Sequence, residues 1–262
     1  MSRIALALEY DGTDFIGWQT QRSGRSVQST LAAAVSTVAA ENLDVHGAGR
    51  TDTGVHAQQQ VAHFDTTASR SSRQWLLGIN ANLPNDIAVQ WVREVSADFD
   101  ARRSAISRHY RYLIHRSETR PALARRKVWW LREALDCAAM NAAAAHWLGE
   151  HDFSAFRAAN CQSRTPMRHL ISVEVRQEHS LIELHFIANA FLYHMVRNLV
   201  GSLVEIGRGR QHPVWAQALL HGRDRKQAAE TAPANGLTLM AVHYPSSFGL
   251  PPLPVGAALS RE

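Results

Sequence analysis

Residues 47–57 read Gly47-Ala48-Gly49-Arg50-Thr51-Asp52-Thr53-Gly54-Val55-His56-Ala57. Three glycines in this short span argue against regular structure, because a residue without Cβ tolerates positive φ and close backbone approach. The segment therefore reads as a loop, and its flanks decide the fold. A short strand is expected near Leu43–Val45 and another over Gln59–Phe64. Toward the N-terminus, RIALALEY at 3–10 reads as a strand, followed by a long glycine-punctuated loop, DGTDFIGWQTQRSGRS. Ser26 can then cap a helix from Val27 whose inner face carries Leu31, Ala34, Val35 and Val38. Toward the C-terminus a helix is expected at Ser72–Asn82, stopped by Pro84, and then a strand at Ile87–Val95.

The same alternation recurs in the second half. Strands are expected at Tyr110–His115, Ser172–Arg176, Leu181–Ala188 and Leu237–Val242. Helices are expected at Glu133–Trp147, Phe191–Ile206 and His212–His221. This is an α+β pattern of short strands in two halves of similar content, with no sequence repeat at a fixed period. The expected division is 1–105, 106–245 and a proline-rich tail, 246–262, that wraps or frays.

The chain has 262 residues, 45% hydrophobic and 19% charged, which is ordinary for a globular protein. No apolar run approaches the ~18 residues of a membrane span. Glu9 and Asp11 interrupt the first apolar stretch, so it does not read as a signal peptide, and a cytoplasmic location is the default expectation. Two cysteines, Cys137 and Cys161, make neither a disulfide framework nor a zinc site, and the histidines lack ligand spacing, so no metal is expected. The net charge is +5, carried by 26 arginines and two lysines. Nine of the arginines fall between Arg102 and Arg132, with Glu118 the single acid among them. A genome rich in G and C would also favour arginine, but that clustering points to a surface that follows phosphates.

Asp52 stands between two threonines whose hydroxyls can orient a carboxylate, and Arg50 can reach phosphate or sugar oxygens. The same residue types suit an Asx-turn in which Asp52 only caps backbone N–H groups. Spacing alone does not separate these readings.

Longer motifs do. GAGRTDTGVHA closely resembles the signature of the tRNA pseudouridine synthase A family, whose catalytic aspartate maps to Asp52. EYDGTDFIGWQTQ resembles that family's first segment, FDARRSAISRHYRY its tyrosine motif with Tyr110, and NAFLYHMVRNLVG its arginine motif with Arg197. HDFSAFRAANCQSRTPMR is similar to a further family segment, and Thr53 stands where alanine is common. The resemblance implies two ferredoxin-like α/β halves with antiparallel sheets meeting at a central basic cleft. It also implies a homodimer that binds tRNA, and isomerisation of uridines 38, 39 and 40 in the anticodon stem-loop without cofactor or metal.

That chemistry suits these residue types. The reaction breaks N1–C1′, turns the uracil and joins C5 to C1′, so no electrons or groups are exchanged and no cofactor is called for. A carboxylate can serve as nucleophile or base if it stays ionised, and a guanidinium such as Arg197 opposes the protonation that burial favours. Residue identity leaves open whether Asp52 attacks C1′, adds to C6 or removes the 2′ proton. Tyr110 can stack on an extruded uracil, and Arg50 can hold or replace the flipped nucleotide. Arg102, Arg103, Arg108, Arg111, Arg116, Arg120, Arg125 and Arg126 are candidates for the RNA backbone. Two other readings exist. One is a binding module that clamps tRNA without turnover. The other is an aspartate phosphatase suggested by Glu9-Tyr10-Asp11-Gly12-Thr13, which has Glu9 at the nucleophile position and few lysines to support it.

Overall fold

A computed structural model describes residues 1–252. The chain divides into two compact units, one of Met1–Ile106 with the chain from Thr238 onward, the other of Ser107–Leu237.

The first unit holds β1 (Ser2–Tyr10), β2 (His46–Gly47), β3 (His56–Thr66), β4 (Ile87–Val95) and β10 (Leu237–His243) with two helices, α1 (Val27–Ala39) and α2 (Ser72–Asn82). The strand order is β4-β1-β3-β10, with β2 also on β3. β1 pairs antiparallel with both neighbours: Leu6 lies opposite Ala62 on β3 and Val92 on β4. These residues share a sheet face with Phe64, whose ring meets Trp75 of α2 edge-on at 5.3 Å. Leu31 and Val35 of α1 and Ile79 of α2 complete a buried core. Ser26 caps α1 by accepting the Ser29 N–H at 3.1 Å. Ser71 and Gln74 form a reciprocal capping box at the start of α2.

The second unit holds β5 (Ser107–Arg116), β6 (Trp129–Leu131), α3 (Cys137–Ala145), β7 (Gly149–Asp152), β8 (Met167–Glu178), β9 (Leu181–Ala188), α4 (Met195–Gly207) and α5 (Trp215–Gly222). Its order is β5-β9-β8-β7, antiparallel throughout, with β6 added parallel to β5. Along α4 almost every residue is buried, Arg197 being one of the few half-buried positions. Among the described residues no helix is long and apolar enough to cross a membrane.

The α+β class holds, with corrections to its details. The strand expected near Leu43–Val45 is instead His46–Gly47, since it is His46 and Gly47 that pair with His63 and Ala62. β6 and β7, of three and four residues, were not expected. α3 begins later than Glu133 because the Asp136 carboxylate accepts the Ala139 N–H and sets the cap there. α4 begins at Met195 rather than Phe191, because His194 adopts left-handed φ of 61° and breaks the helical run. The last strand, expected within residues 106–245 of the second half, pairs parallel with β3 of the first unit, Thr238 opposite His56. Of the expected tail 246–262, Ser246–Phe248 forms a single 3₁₀ turn, and the Phe248 ring meets Phe99 at 5.1 Å. Residues 253–262 lie outside the described residues.

Candidate active site

Residues 48–55 leave β2 and return to β3 as a loop without regular structure, and its neighbours fix it residue by residue. The Ala48 N–H donates to Val61 O at 2.8 Å, and Gln60 Nε2 donates to Gly49 O at 2.7 Å. The Thr51 side chain turns inward, its Oγ1 lying 2.9 Å from the Tyr10 hydroxyl. Thr51 O accepts the Trp18 N–H at 3.0 Å, Thr53 Oγ1 donates to Ile16 O at 3.0 Å, and Val55 N–H closes a turn on Asp52 O at 3.1 Å.

The first loop, residues 11–18, therefore lies directly against the loop of Asp52. Two glycines make that approach possible. A Cβ on Gly17, whose φ is +104°, would stand 2.5 Å from Thr51 O, and one on Gly12 would stand 1.9 Å from Val55 O. The Gly12 N–H donates to Nδ1 of the buried His56 at 3.0 Å. Asp11 caps the turn at Gly12–Asp14 by accepting from Thr13, and Glu9 is exposed on β1. Of the residues that suggested a phosphoryl-transfer loop, Tyr10 and Gly12 thus bond to the neighbouring chain, at Thr51 and His56.

The outcome is a half-buried Asp52 and an exposed Arg50 on either side of a buried Thr51. Tyr10 is fully enclosed, and burial pushes its hydroxyl up to about 12, so it stays protonated and can donate.

In the second unit Tyr110 sits on β5, 8% exposed, with its ring edge-on to Phe191 at 5.1 Å. Tyr112 lies two residues on, fully buried, and donates its hydroxyl to Pro233 O at 2.8 Å. It fills core against Trp129, and burial raises its hydroxyl far above the usual range. Arg197 projects from α4, where its Nε donates to Ala232 O at 2.8 Å. The next residue, Asn198, is fully buried and satisfied: Nδ2 donates to Phe156 O at 2.8 Å, and Oδ1 accepts from Thr231 and Arg225 at 2.6 and 3.1 Å. This network fixes the helix turn that carries Arg197.

The arginines separate into two kinds. Arg102, Arg103, Arg116, Arg120, Arg125 and Arg126 are exposed. Arg108 is almost buried and donates to Asn189 O at 2.7 Å, and Arg111 is half-buried on the strand face away from Tyr110. The loop of Arg125 is anchored by Asn235 Nδ2, which donates to Val128 O at 2.7 Å and Arg125 O at 3.1 Å. Among the described residues, no group of three or more His, Cys, Asp or Glu could hold a metal ion. Sequence reasoning missed Tyr10 and Gln60, the buried groups that grip the loop of Asp52; an interior-facing tyrosine ending a strand beside a glycine loop was the available signal.

A sequence model of the family described as tRNA pseudouridine synthase matches residues 6–102 and 143–245. Individual proteins are similar over nearly their whole length. One from Coxiella burnetii, named tRNA pseudouridine synthase A, is 48% identical over 256 residues, covering 98% of each chain. A protein of the same name from Aliivibrio fischeri is 50% identical over 254 residues, 97% of each chain. Another from Alcanivorax borkumensis is 49% identical over 257 residues, 98% of this chain and 96% of its own.

Proposed function

The chain belongs to the tRNA pseudouridine synthase family, and from that premise we propose that Asp52 is the carboxylate with which it isomerises uridine in the anticodon stem-loop of tRNA, at positions 38, 39 and 40. That it is an isomerase converting uridine to pseudouridine in tRNA follows from the family itself.

One observation carries it. Asp52 is half-buried on a loop whose preceding and following residues are both tied down by side-chain hydrogen bonds, through Thr51 to Tyr10 and through Thr53 to Ile16 O. A reacting group held in this way loses little freedom on reaching the transition state. An Asx-turn alone would not need the grip on both neighbours.

The target base leaves its stack before N1–C1′ can break. Tyr110 supplies the aromatic face for that base, Arg50 holds the displaced nucleotide, and Arg197 supplies the guanidinium that favours an ionised carboxylate. Asp52 acts as nucleophile or base: the uracil leaves with the N1–C1′ electron pair, turns, and attacks C1′ through C5, after which C5 loses its proton and N1 gains one, so that substrate and product remain isomers. The exposed arginines, Arg102, Arg103, Arg116, Arg120, Arg125 and Arg126, bind phosphates, whereas Arg108 is engaged within its own unit. The protein works as a homodimer in the cytoplasm, with one tRNA contacting both subunits.

The test uses an unmodified tRNA transcript and mass mapping of pseudouridine. Wild-type protein should modify positions 38–40, and Asp52→Asn should bind the transcript without modifying it. Turnover by Asp52→Asn would remove the carboxylate from the mechanism. A wild-type protein that binds but never turns over would make this a clamp rather than an enzyme.

A further inference from the structure

The hydroxyl of Tyr10 lies 2.9 Å from Thr51 Oγ1, and both residues are buried. The Gln60 amide donates from Nε2 to Gly49 O at 2.7 Å. Tyr10 and Gln60, both buried, thus hold the Asp52 loop at Thr51 and Gly49, on either side of Arg50. Arg50 is exposed and Asp52 half-buried beside that grip.

We infer that Tyr10 is a positioning residue for the reaction: through Thr51 it fixes the backbone that presents Asp52 and Arg50 to the nucleotide. This rests on the assignment of Asp52 above and adds to it a residue outside the reacting groups. The physical case is one of geometry and burial. A hydroxyl pair inside a core has no water to replace a lost partner, so removing either oxygen frees the loop rather than exchanging one bond for another. Phenylalanine at position 10 and valine at position 51 keep the volume and remove only the bond. A displacement of about 1 Å at a reacting carboxylate can cost roughly 100-fold in rate. Tyr10 and Thr51 are buried away from solvent, so the loss falls on the chemical step and not on tRNA capture.

The experiment is single-turnover pseudouridine formation on an unmodified tRNA transcript, full-length enzyme in excess, for Tyr10→Phe, Thr51→Val, Thr51→Ser and the double variant Tyr10→Phe/Thr51→Val. The expected result is a rate constant lowered roughly 10- to 100-fold in Tyr10→Phe and Thr51→Val. Full reaction amplitude and a tRNA Kd within about 2-fold of wild type should accompany that loss. Thr51→Ser, which keeps the oxygen, should restore most of the rate, and the double variant should be no slower than the worse single one. A purely structural role would instead lower the folded fraction, read by thermal melting, and leave the rate constant at saturating enzyme unchanged; that outcome overturns the inference. So does a pair of losses that simply multiply. If Asp52→Asn retains turnover, the catalytic assignment fails, whereas an inactive Asp52→Asn beside wild-type rates for Tyr10→Phe and Thr51→Val overturns only the positioning role.

Discussion

Arg197 and Ala232 bond each other twice: Arg197 Nε donates to Ala232 O at 2.8 Å, and the Ala232 N–H donates to Arg197 O at 3.2 Å. The arginine is therefore placed by the chain that crosses α4 as well as by its own helix. Ala232 is 2% exposed, so its carbonyl has no access to bulk water. Arg197→Ala should lower stability by about 1–3 kcal/mol through that orphaned carbonyl, as well as abolishing pseudouridine formation. Arg197→Lys keeps the charge but has no Nε donor, and should recover little of either. Thermal melting and a tRNA assay read the two effects separately. Near-wild-type turnover in Arg197→Lys would mean that a charge suffices and the guanidinium fork does not matter.

Gly17 offers a second probe of the Asp52 loop. Its φ of +104° strains any L side chain, and a Cβ there would stand 2.5 Å from Thr51 O, a backbone atom that cannot swing aside. Gly17→Ala should destabilise by more than about 1 kcal/mol and displace Thr51, with a fall in turnover out of proportion to the loss of stability. The check is turnover per folded molecule at a temperature well below melting. Unchanged turnover per folded molecule would show that loop 11–18 does not govern the loop of Asp52.

Several elements were legible from local signals alone. The helix Ser72–Asn82 and the strands Ile87–Val95 and Leu181–Ala188 have the expected bounds. Their signals sit within a few residues of their ends, as with Pro84 just after the helix. What a distant partner decides was not legible. The strand at Leu237–His243 was expected, but not that it joins β3 across most of the chain, and β6 is a strand only because Trp129 and Trp130 lie beside Ile114 and His115. The loop character of residues 48–55 follows from its glycines, but its grip does not. Tyr10 and Gln60 come to the same loop only through the β1–β3 register, Leu8 opposite Gln60 and Tyr10 opposite Ala57, with a register shift between them. No spacing rule in one sequence reports such a shift.

Stability should also fall on mild acidification. Burial is the main cause holding His63, His185 and His243 below their ordinary value of 6.5; the carboxylates of Asp100 and Asp65 oppose it at His63, and that of Glu183 at His185. Each folded histidine thus resists a proton that the unfolded chain accepts near pH 6.5. Stability from these groups is fully present above that pH and is lost as the pH drops below it, because the unfolded state then binds more protons. Urea midpoints measured from pH 7.5 to 5.5 should decline, with the bend near 6.5, and His63→Gln should soften the decline. A midpoint that stays flat or rises over this range contradicts the burial of neutral histidines.

The exposed arginines make a prediction about salt. Arg125 and Arg126 stand on the loop anchored by Asn235, with Arg116 and Arg120 in the same stretch of chain, and all four are exposed. Each guanidinium that neutralises a phosphate releases a condensed counterion, so log K for tRNA should fall linearly with log salt. Replacing both Arg125 and Arg126 with Gln should reduce the slope by roughly 2 if each meets one phosphate of a duplex stem. Affinity should drop in parallel for different tRNA species, because phosphate contacts carry no base information. Arg108→Gln is the internal comparison: its guanidinium is already committed to Asn189 O, so the slope should not change while the melting temperature falls. If the slope instead responds to Arg108→Gln and not to the Arg125/Arg126 pair, the phosphate-tracking surface lies elsewhere on the protein.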